Sequence, residues 1–581
     1  MKVTIKNIKV LGLAVTAALA FGACSDDWDE HYDVQQIGNG GTLWEAISGD
    51  ADLSNFAMVL DSCGYVNSLN SSQVFTVFAP TNNGFSEQEA YEWITAYKKD
   101  KAAGVKDEEN KTLKELIRNH ITLYNHSVSS VSNDTLDMLN GKRLPFSTSA
   151  FSGQAFVTGG KNQRYSNGIL FKLDGTAKFF HNIFEYLAAD PDLDSVATFL
   201  YRYNNYRFMP EMSVEGGIEN GLTWYLDSVE VLENDMLEQY LGLINDEDSI
   251  YRMVVPTNSE WERLVTEFEP YFNYPDNVEK RDSLVYTNAR LAVLRGTVFS
   301  QTINPNWQDS AVSTNAIPYY MRKYTYGSAD VDYYLYRNPY TAGGAFDGTE
   351  EIDCSNGKLL KAAQWNIDKT QTFCQTILAE AEENMGTYDK SGAMVPSRLV
   401  VSSDDLLYEE ISNQAGLYLV QKTGGATPYV EIELPNVLAN MGYDIQMVLV
   451  PPVYIEEDTV AWRLDGVVDT VALPNVISVF FSYPNQDGTM NNNNAIDEND
   501  ILDLGESWDK GEFFYTENPG KVDTIMVAEN FQFPTCSYGL GSTGKVSLKI
   551  RNDFMSFVDE GFATKHLLID CIILKPHEEE E

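Results

Sequence analysis

The sequence predicts a multidomain α+β chain, in which a frame of mixed helices and strands is used twice and an antiparallel β-sandwich follows. Three observations predict it. The 581 residues suffice for three or four domains of roughly 100–200 residues, each able to bury a core. A pair of short motifs recurs in the same order at similar spacing, the mark of a duplicated unit. From about Met394 helical periodicity fades, and short β-branched and aromatic runs alternate with turns rich in Gly, Pro, Asn and Asp. An aromatic content of 12% excludes a disordered polymer, and 20 Pro with 40 Gly in no G-X-Y period exclude collagen.

The amino end carries an address. Lys2, Lys6 and Lys9 precede an uncharged, mostly apolar stretch from Val10 to Gly22. It is too short to span a bilayer comfortably and ends in small residues, so residues 1–23 read as a signal peptide. The end, Phe21-Gly22-Ala23-Cys24, resembles the lipobox of bacterial lipoproteins, with Phe21 where Leu is usual. The resemblance implies cleavage before Cys24 and acylation of its thiol by chains such as palmitate, anchoring the protein in outer-membrane lipid. Each buried CH₂ contributes ~0.8 kcal/mol, so two or three chains hold firmly. The alternative is an ordinary cleavage site with an incidental cysteine. Residues 24–40 form an acidic tether, and Ser25, Asp26, Asp27, Asp29 and Glu30 resemble the surface-export signal of Bacteroidetes lipoproteins. That implies a body facing the cell exterior; a solvated tether of arbitrary charge is the other reading. The triplet Asp-(Ser/Thr)-small-or-aliphatic resembles the O-glycosylation sequon of the same phylum. It occurs at Thr135, Ser195, Ser228, Ser249, Ser283, Ser310, Thr459, Thr470 and Thr524, against an expectation of only ~2 from average composition. No other uncharged apolar stretch reaches ~18 residues.

The repeated frame runs over residues 41–189 and 190–385. Val77-Phe78-Ala79-Pro80-Thr81-Asn82 has its counterpart in Met253-Val254-Val255-Pro256-Thr257-Asn258, and Ser166-Asn167-Gly168-Ile169 in Ser355-Asn356-Gly357-Lys358. Pro80 to Asn167 spans 87 residues and Pro256 to Asn356 spans 100. Val74–Ala79 predicts a strand ended by proline, with Thr81 or Asn82 capping the helix that follows. Opening helices are expected over Thr42–Ile47 and Leu53–Leu60. Leu113, Leu116, Ile117, His120 and Ile121 predict one apolar face of a helix, which makes His120 a hydrogen-bonded core residue rather than a ligand or base. Asn-Gly tolerates positive φ and starts an apolar strand. On these residues the first copy resembles the fasciclin (FAS1) domain. Phe171 stands where that family commonly has His. The second copy diverges: Leu294-Arg295-Gly296-Thr297-Val298 replaces the usual Leu-x-x-His-x, and insertions such as Tyr319–Asp347 interrupt it.

Residues 386–581 are the expected β-sandwich. Strands are predicted at Tyr429–Leu434, Ile445–Val450, Val476–Phe481, Thr524–Val527, Lys545–Ile550 and Leu567–Leu574. Gly539-Leu540-Gly541-Ser542-Thr543-Gly544-Lys545 imitates a P-loop, but Val546 stands where Ser or Thr should bind Mg²⁺. The alternation that follows predicts a strand, hence a hairpin turn rather than a phosphate cradle. Asp487, Asn491 to Asn494, Asp497, Glu498, Asp500 and Asp503 crowd the loop 486–503 with hard oxygen ligands for Ca²⁺. Their spacing lacks the register of an EF-hand, which favours a solvated loop.

No cofactor is implied, and no catalytic site emerges: there is no G-x-S-x-G and no H-E-x-x-H, and the 85 acids make chance carboxylate pairs unavoidable. Cys63, Cys354, Cys374, Cys536 and Cys571 form no C-x-x-C; buried thiols are favoured over the bridges Cys354–Cys374 and Cys536–Cys571. A net charge of −44 repels phosphate backbones and argues against nucleic acid as a partner. The reading is a non-enzymatic outer-membrane surface lipoprotein. Its fasciclin-like domains, by that family's association, serve adhesion or the binding of an extracellular glycan or protein. The alternative is an accessory glycan- or peptide-capture subunit of a SusC/SusD-type TonB-dependent uptake system.

Overall fold

In the computed structural model of the protein, the β-branched and aromatic run Phe75–Pro80 forms a strand, β1, buried along its whole length. Residues 40–128, 133–219, 222–227, 230–300, 310–313, 335–388, 396–401, 403, 407–420, 429–451, 474–491, 513–515, 520–540, 545–552, 564 and 566–578 are described. The chain divides into two compact units, Met1–Phe180 with Tyr206–Leu232 and His181–Asn205 with Glu233–Glu581.

In the first unit, helices α1 (Leu43–Gly49), α2 (Ser54–Ser62) and α3 (Val66–Asn70) precede β1. The sheet is completed by β2 (Ile121–Leu123), β3 (Gln163–Tyr165) and β4 (Gly168–Leu173), in the order β2-β1-β4-β3. β1 and β4 are parallel, from Phe75 opposite Gly168 to Pro80 opposite Leu173. Because strand side chains alternate, β1 serves two cores. Phe75, Val77 and Ala79 join Leu43, Phe56 and Leu116 on one face. Phe78 faces the other way, stacked on Phe151 at 3.8 Å and on Phe171 at 5.2 Å. Phe171, the departure from the fasciclin pattern, is thus a fully buried core ring.

Two expectations need correction. The segment ending at His120 is not one regular helix: Leu113–Ile117 is a π-helical turn, Arg118–His120 a 3₁₀ turn, and Ile121 already belongs to β2. Its apolar residues are buried as predicted, but the chain tightens early so that Ile121 can pair with Val77. Thr81 and Asn82 do not cap the next helix, α4 (Glu87–Ala102). Ser86 does, in a capping box with Glu89. The Thr81 hydroxyl instead donates to the Leu173 carbonyl at 3.0 Å.

The second unit repeats this frame. Helices α5 (Ile183–Ala189) and α6 (Asp194–Tyr201) precede β5 (Tyr251–Pro256); α7 (Asn258–Phe268), α8 (Arg281–Leu294), β6 (Val298–Ser300), β7 (Glu350–Cys354) and β8 (Gly357–Ala362) follow. The sheet order is β6-β5-β8-β7, and β5 and β8 are parallel from Tyr251 opposite Gly357 to Pro256 opposite Ala362. The two sheets therefore share strand order, direction and register. Both α1 and α5 begin with capping boxes, Thr42 with Glu45 and Asn182 with Glu185. Of the insertion expected at Tyr319–Asp347, residues 335–347 are described.

Two six-stranded antiparallel sheets complete this unit. Their strands are β9 (Ile377–Glu380), β10 (Met385–Tyr388), β11 (Ser397–Val400), β12 (Ala415–Val420), β13 (Tyr429–Leu434) and β14 (Gly442–Leu449). β15 (Val476–Pro484), β16 (Met490–Asn491), β17 (Phe513–Tyr515), β18 (Asp523–Gln532), β19 (Val546–Asn552) and β20 (His566–Pro576) follow. One sheet runs β11-β12-β20-β14-β18 with β9 on β20, the other β10-β13-β19-β15-β16 with β17 on β15. All six predicted strands are present. Tyr429–Leu434 keeps its predicted bounds, and Val476–Phe481, Thr524–Val527 and Leu567–Leu574 are extended. Ile445–Val450 becomes Gly442–Leu449 and Lys545–Ile550 becomes Val546–Asn552, each losing one predicted end residue. Phe481 of β15 stacks on Phe531 of β18 at 4.6 Å, so rings from both sheets meet.

These sheets are joined to the second frame through the segment after α7. Tyr274, fully buried, donates its hydroxyl to the Tyr538 carbonyl at 2.7 Å and accepts from Asn288 at 2.8 Å. The Cys536 N–H donates to the Asn273 carbonyl and the Ala439 N–H to that of Tyr271.

Candidate functional site

The repeated motifs meet as polar clamps inside each frame. Asn167, 3% exposed, accepts from the Leu43 N–H at 2.8 Å and donates to the carbonyls of Leu69 and Ser71 at 2.8 and 2.9 Å. Asn356, 1% exposed, accepts from Ile183 at 3.0 Å and donates to Ile244 and Asp246 at 2.7 and 2.8 Å. Each amide thus ties the first helix of its frame to the turn before the central strand. Gly168 and Gly357 must follow, since a Cβ there would lie 2.0 Å from the Phe75 oxygen and 1.8 Å from the Tyr251 oxygen. Asn82 caps the distant helix α2, accepting from Asn55 N–H at 3.1 Å, as Asn258 does for Ser195 at 3.0 Å. Lys172 pairs with Asp50, and Lys361 with Asp190 at 2.8 Å and Asp192 at 2.9 Å. Burial works against the Lys361 charge, but the two carboxylates outweigh it and raise its pKa. The motifs build the frame, and their polar atoms are spent on it.

His120 is spent likewise. It is fully buried, with Nδ1 2.7 Å from the Leu116 carbonyl and Nε2 accepting from the Ala177 N–H at 2.9 Å. Burial lowers its pKa to about 4, so the ring is neutral with its proton on Nδ1. In the second frame Thr297 occupies this place before β6, its hydroxyl donating to the Leu294 carbonyl at 2.8 Å. A small hydroxyl closing the helix end there explains how the motif survives without histidine.

A cleft of about 790 Å³ opens in the second unit where α7 and α8 of the frame meet Asn440 of the sheets. Glu269, Arg281, Tyr286, Arg290 and Asn440 line it. The guanidinium groups of Arg290 and Arg202 lie 3.7 and 4.5 Å from the Tyr286 ring centroid. Arg281 is fixed by the Tyr274 carbonyl at 2.8 Å and by Asn273 Oδ1 at 3.0 Å. Guanidinium, amide, carboxylate and ring edges are groups that bind and orient hydroxyl-rich or peptide ligands. No His, Ser or Cys is among the described residues lining the cleft. Sequence reasoning missed the cleft, because its walls come from segments some 150 residues apart.

Of the residues singled out from sequence, Cys24, Ser25, Asp26, Asp27, Asp29, Glu30, Ser228, Thr459 and Thr470 lie outside the described residues. Thr135, Ser283 and Thr524 are solvent-exposed, whereas Ser195, Ser249 and Ser310 are half-buried. In loop 486–503 the structure describes residues up to Asn491. There Asp487 Oδ1 is occupied by the Thr489 N–H and hydroxyl, and Gln486 donates to Asp276 and the Tyr274 carbonyl. The other acids of the loop lie outside the described residues. The P-loop look-alike leads into strand β19 at Val546, not a helix. Cys63, Cys354, Cys374, Cys536 and Cys571 form no disulfide, so neither candidate bridge is made. No helix among the described residues is long and apolar enough to cross a membrane.

Comparison with known families finds the Fasciclin domain, matched over residues 51–175. Among solved structures, the chain is similar to the FAS1 domain pair of the insect cell adhesion molecule fasciclin I. That likeness is 12% identical, covers 55% of this chain and 98% of that one, and has a TM-score of 0.18. It is also similar to the family 11 carbohydrate-binding module of Clostridium thermocellum, solved with a β-1,3-1,4-mixed-linked tetrasaccharide. There the identity is 14%, with 35% of this chain and 98% of that one covered and a TM-score of 0.18. No curated protein matches the chain.

Proposed function

We propose that the protein is a non-enzymatic surface lipoprotein that binds an extracellular glycan or protein. In this reading two tandem fasciclin domains stand between a lipid anchor at Cys24 and a C-terminal β-sandwich, and the body faces the cell exterior. The carrying observation is the fasciclin domain at residues 51–175. The second frame's matching sheet order, register and asparagine clamp support counting it as another copy. The family's association with adhesion supports the class of function, and the Arg290–Tyr286–Asn440 cleft is the surface we propose for the ligand.

The test is an array of glycans and extracellular proteins probed with the full chain in detergent. Saturable binding is expected, weakened at least tenfold by the double substitution Tyr286→Ala and Arg290→Ala. Undiminished binding by that variant would remove the cleft from the account, and no binding anywhere would remove the function. Recovery of a TonB-dependent barrel in a pull-down from solubilised outer membrane would instead favour the SusC/SusD-type uptake role.

A further inference from the structure

A hairpin of the first unit pairs the strands Val214–Glu219 and Leu222–Asp227. Its base is buried: Val214, opposite Asp227, is 1% exposed and joins the core of Leu43, Phe56 and Leu116. Its far end is the reverse. Ile218 is 76% exposed and Leu222 75%, the highest values for large apolar side chains among the described residues, and Trp224 is 46% exposed. At about 3.3 Å per residue, the pair Glu219–Leu222 stands up to about 16 Å from Val214.

The apolar side chains lie on both faces of this ribbon. Leu222 and Trp224, two residues apart, share one face. Ile218 sits opposite Thr223 on the other, which is also the face of Tyr225. The Tyr225 ring meets that of the exposed Phe208 edge-on at 4.9 Å. A flat protein surface or a sugar ring covers one face of such a ribbon and leaves the other in water. An acyl-chain layer surrounds an inserted tip, and indole and phenol rings settle at its boundary with water. The indole is also held in place. Its six-membered ring lies against Gly216, where a Cβ would come within 2.3 Å of it, and Gly217 follows at φ +141°. Two adjacent glycines loosen a strand, and here they seat one exposed ring.

The place of the hairpin in the first unit gives it a surface to meet. Thr42 Oγ1 donates to Asn70 Oδ1 at 2.6 Å, and α3, which Asn70 ends, packs against the strand Leu222–Asp227. The tether therefore enters the first unit beside the hairpin. Residues 24–40 reach at most about 60 Å when fully extended, which brings a leaflet holding acyl chains at Cys24 within range of the tip. The hairpin carries Glu215, Glu219 and Asp227 and no Lys or Arg, in a chain of net charge −44. Such charge is repelled by an anionic surface, so apolar burial in a zwitterionic one is the contact that fits.

We propose that Ile218, Leu222 and Trp224 dip into the zwitterionic lipid surface to which the chain is anchored, a second and non-covalent membrane contact. The proposal rests on the lipid-anchor reading, which brings the surface near, while the insertion itself needs no acyl chain. One acylated thiol on a tether sets only a distance. A second contact sets which side of the first unit faces the lipid.

The test is flotation of the processed chain, residues 24–581 with Cys24→Ser, with phosphatidylcholine vesicles, so that no acyl chain contributes. Saturable binding is expected at millimolar lipid, and weaker binding when phosphatidylglycerol is added. Ile218→Ser with Leu222→Ser should weaken it at least tenfold at an unchanged unfolding temperature, since both side chains are exposed. Lipid brominated on its acyl chains should quench the tryptophan emission, and Trp224→Phe should remove most of that quenching. Absence of flotation at millimolar lipid would overturn the proposal, as would flotation and quenching indifferent to these substitutions. Self-association dispersed by Ile218→Ser with Leu222→Ser would overturn it in favour of a second copy of the chain. Loss of glycan-array binding in that variant, without flotation in the parent, would overturn it in favour of a glycan. Failure of the anchor reading shows separately, as wild-type protein recovered without acyl mass, and leaves the flotation result unchanged.

Discussion

Replacing Asn167 by Ala leaves three backbone groups without partners: the Leu43 N–H and the Leu69 and Ser71 carbonyls. The first two bonds are fully buried and the third partly so. Stranding a buried polar group costs about 1–3 kcal/mol, so the loss should be about 3–5 kcal/mol of the first unit's stability. Asn356→Ala strands the Ile183 N–H and the Asp246 carbonyl, while the Ile244 carbonyl keeps the Phe184 N–H at 3.3 Å, so the second unit should lose somewhat less, about 2–4 kcal/mol. Urea unfolding gives the magnitudes, and hydrogen exchange resolved by peptide gives the locations. Exchange should rise over residues 43–49 and 75–80 in Asn167→Ala, and over 183–189 and 251–256 in Asn356→Ala. A loss below about 1 kcal/mol, or exchange rising in the other unit, would refute the view that each asparagine fastens its own frame.

Gly168→Ala and Gly357→Ala should each destabilise their unit by about 3 kcal/mol or more. The new Cβ meets a carbonyl oxygen at φ +151° and +139°, and retention of the wild-type urea midpoint would contradict the close approach. His120 makes the first unit sensitive to acid. Its folded pKa of about 4 lies below the unfolded value of about 6.5. Its contribution of about 3 kcal/mol is therefore complete above pH ~6.5 and lost as the pH falls through 4. Urea midpoints measured across that window should fall with the wild type and change less in His120→Gln. Cys24→Ser should release the protein from the membrane fraction; an unchanged distribution on fractionation would dispose of the lipid anchor.

Sequence made the frame legible because its motifs sit where geometry allows little choice. Asn-Gly marks a clamp and a glycine-only approach, and a β-branched run ended by proline marks the central strand. Residues 429–434 and 567–574 were readable as strands from alternation and β-branching alone. Less legible was what local signals contest. Thr81 and Asn82 look like caps for the helix after them, yet their bonds go back to Leu173 and Asn55. Asn82 finds an orphan N–H 27 residues upstream, whereas Ser86 and Glu89 supply a reciprocal box. The run through Ile121 kept its helical spacing past the point where strand pairing had claimed it. The cleft had no local signal. Tyr286 and Asn440 meet only through the fold.

The most direct measurement is native mass spectrometry of the full chain with a glycan or protein captured from the array, followed over hours. A stoichiometric complex whose ligand returns with unchanged mass is the predicted result. A ligand returned cleaved or otherwise altered would make the protein an enzyme and contradict the account.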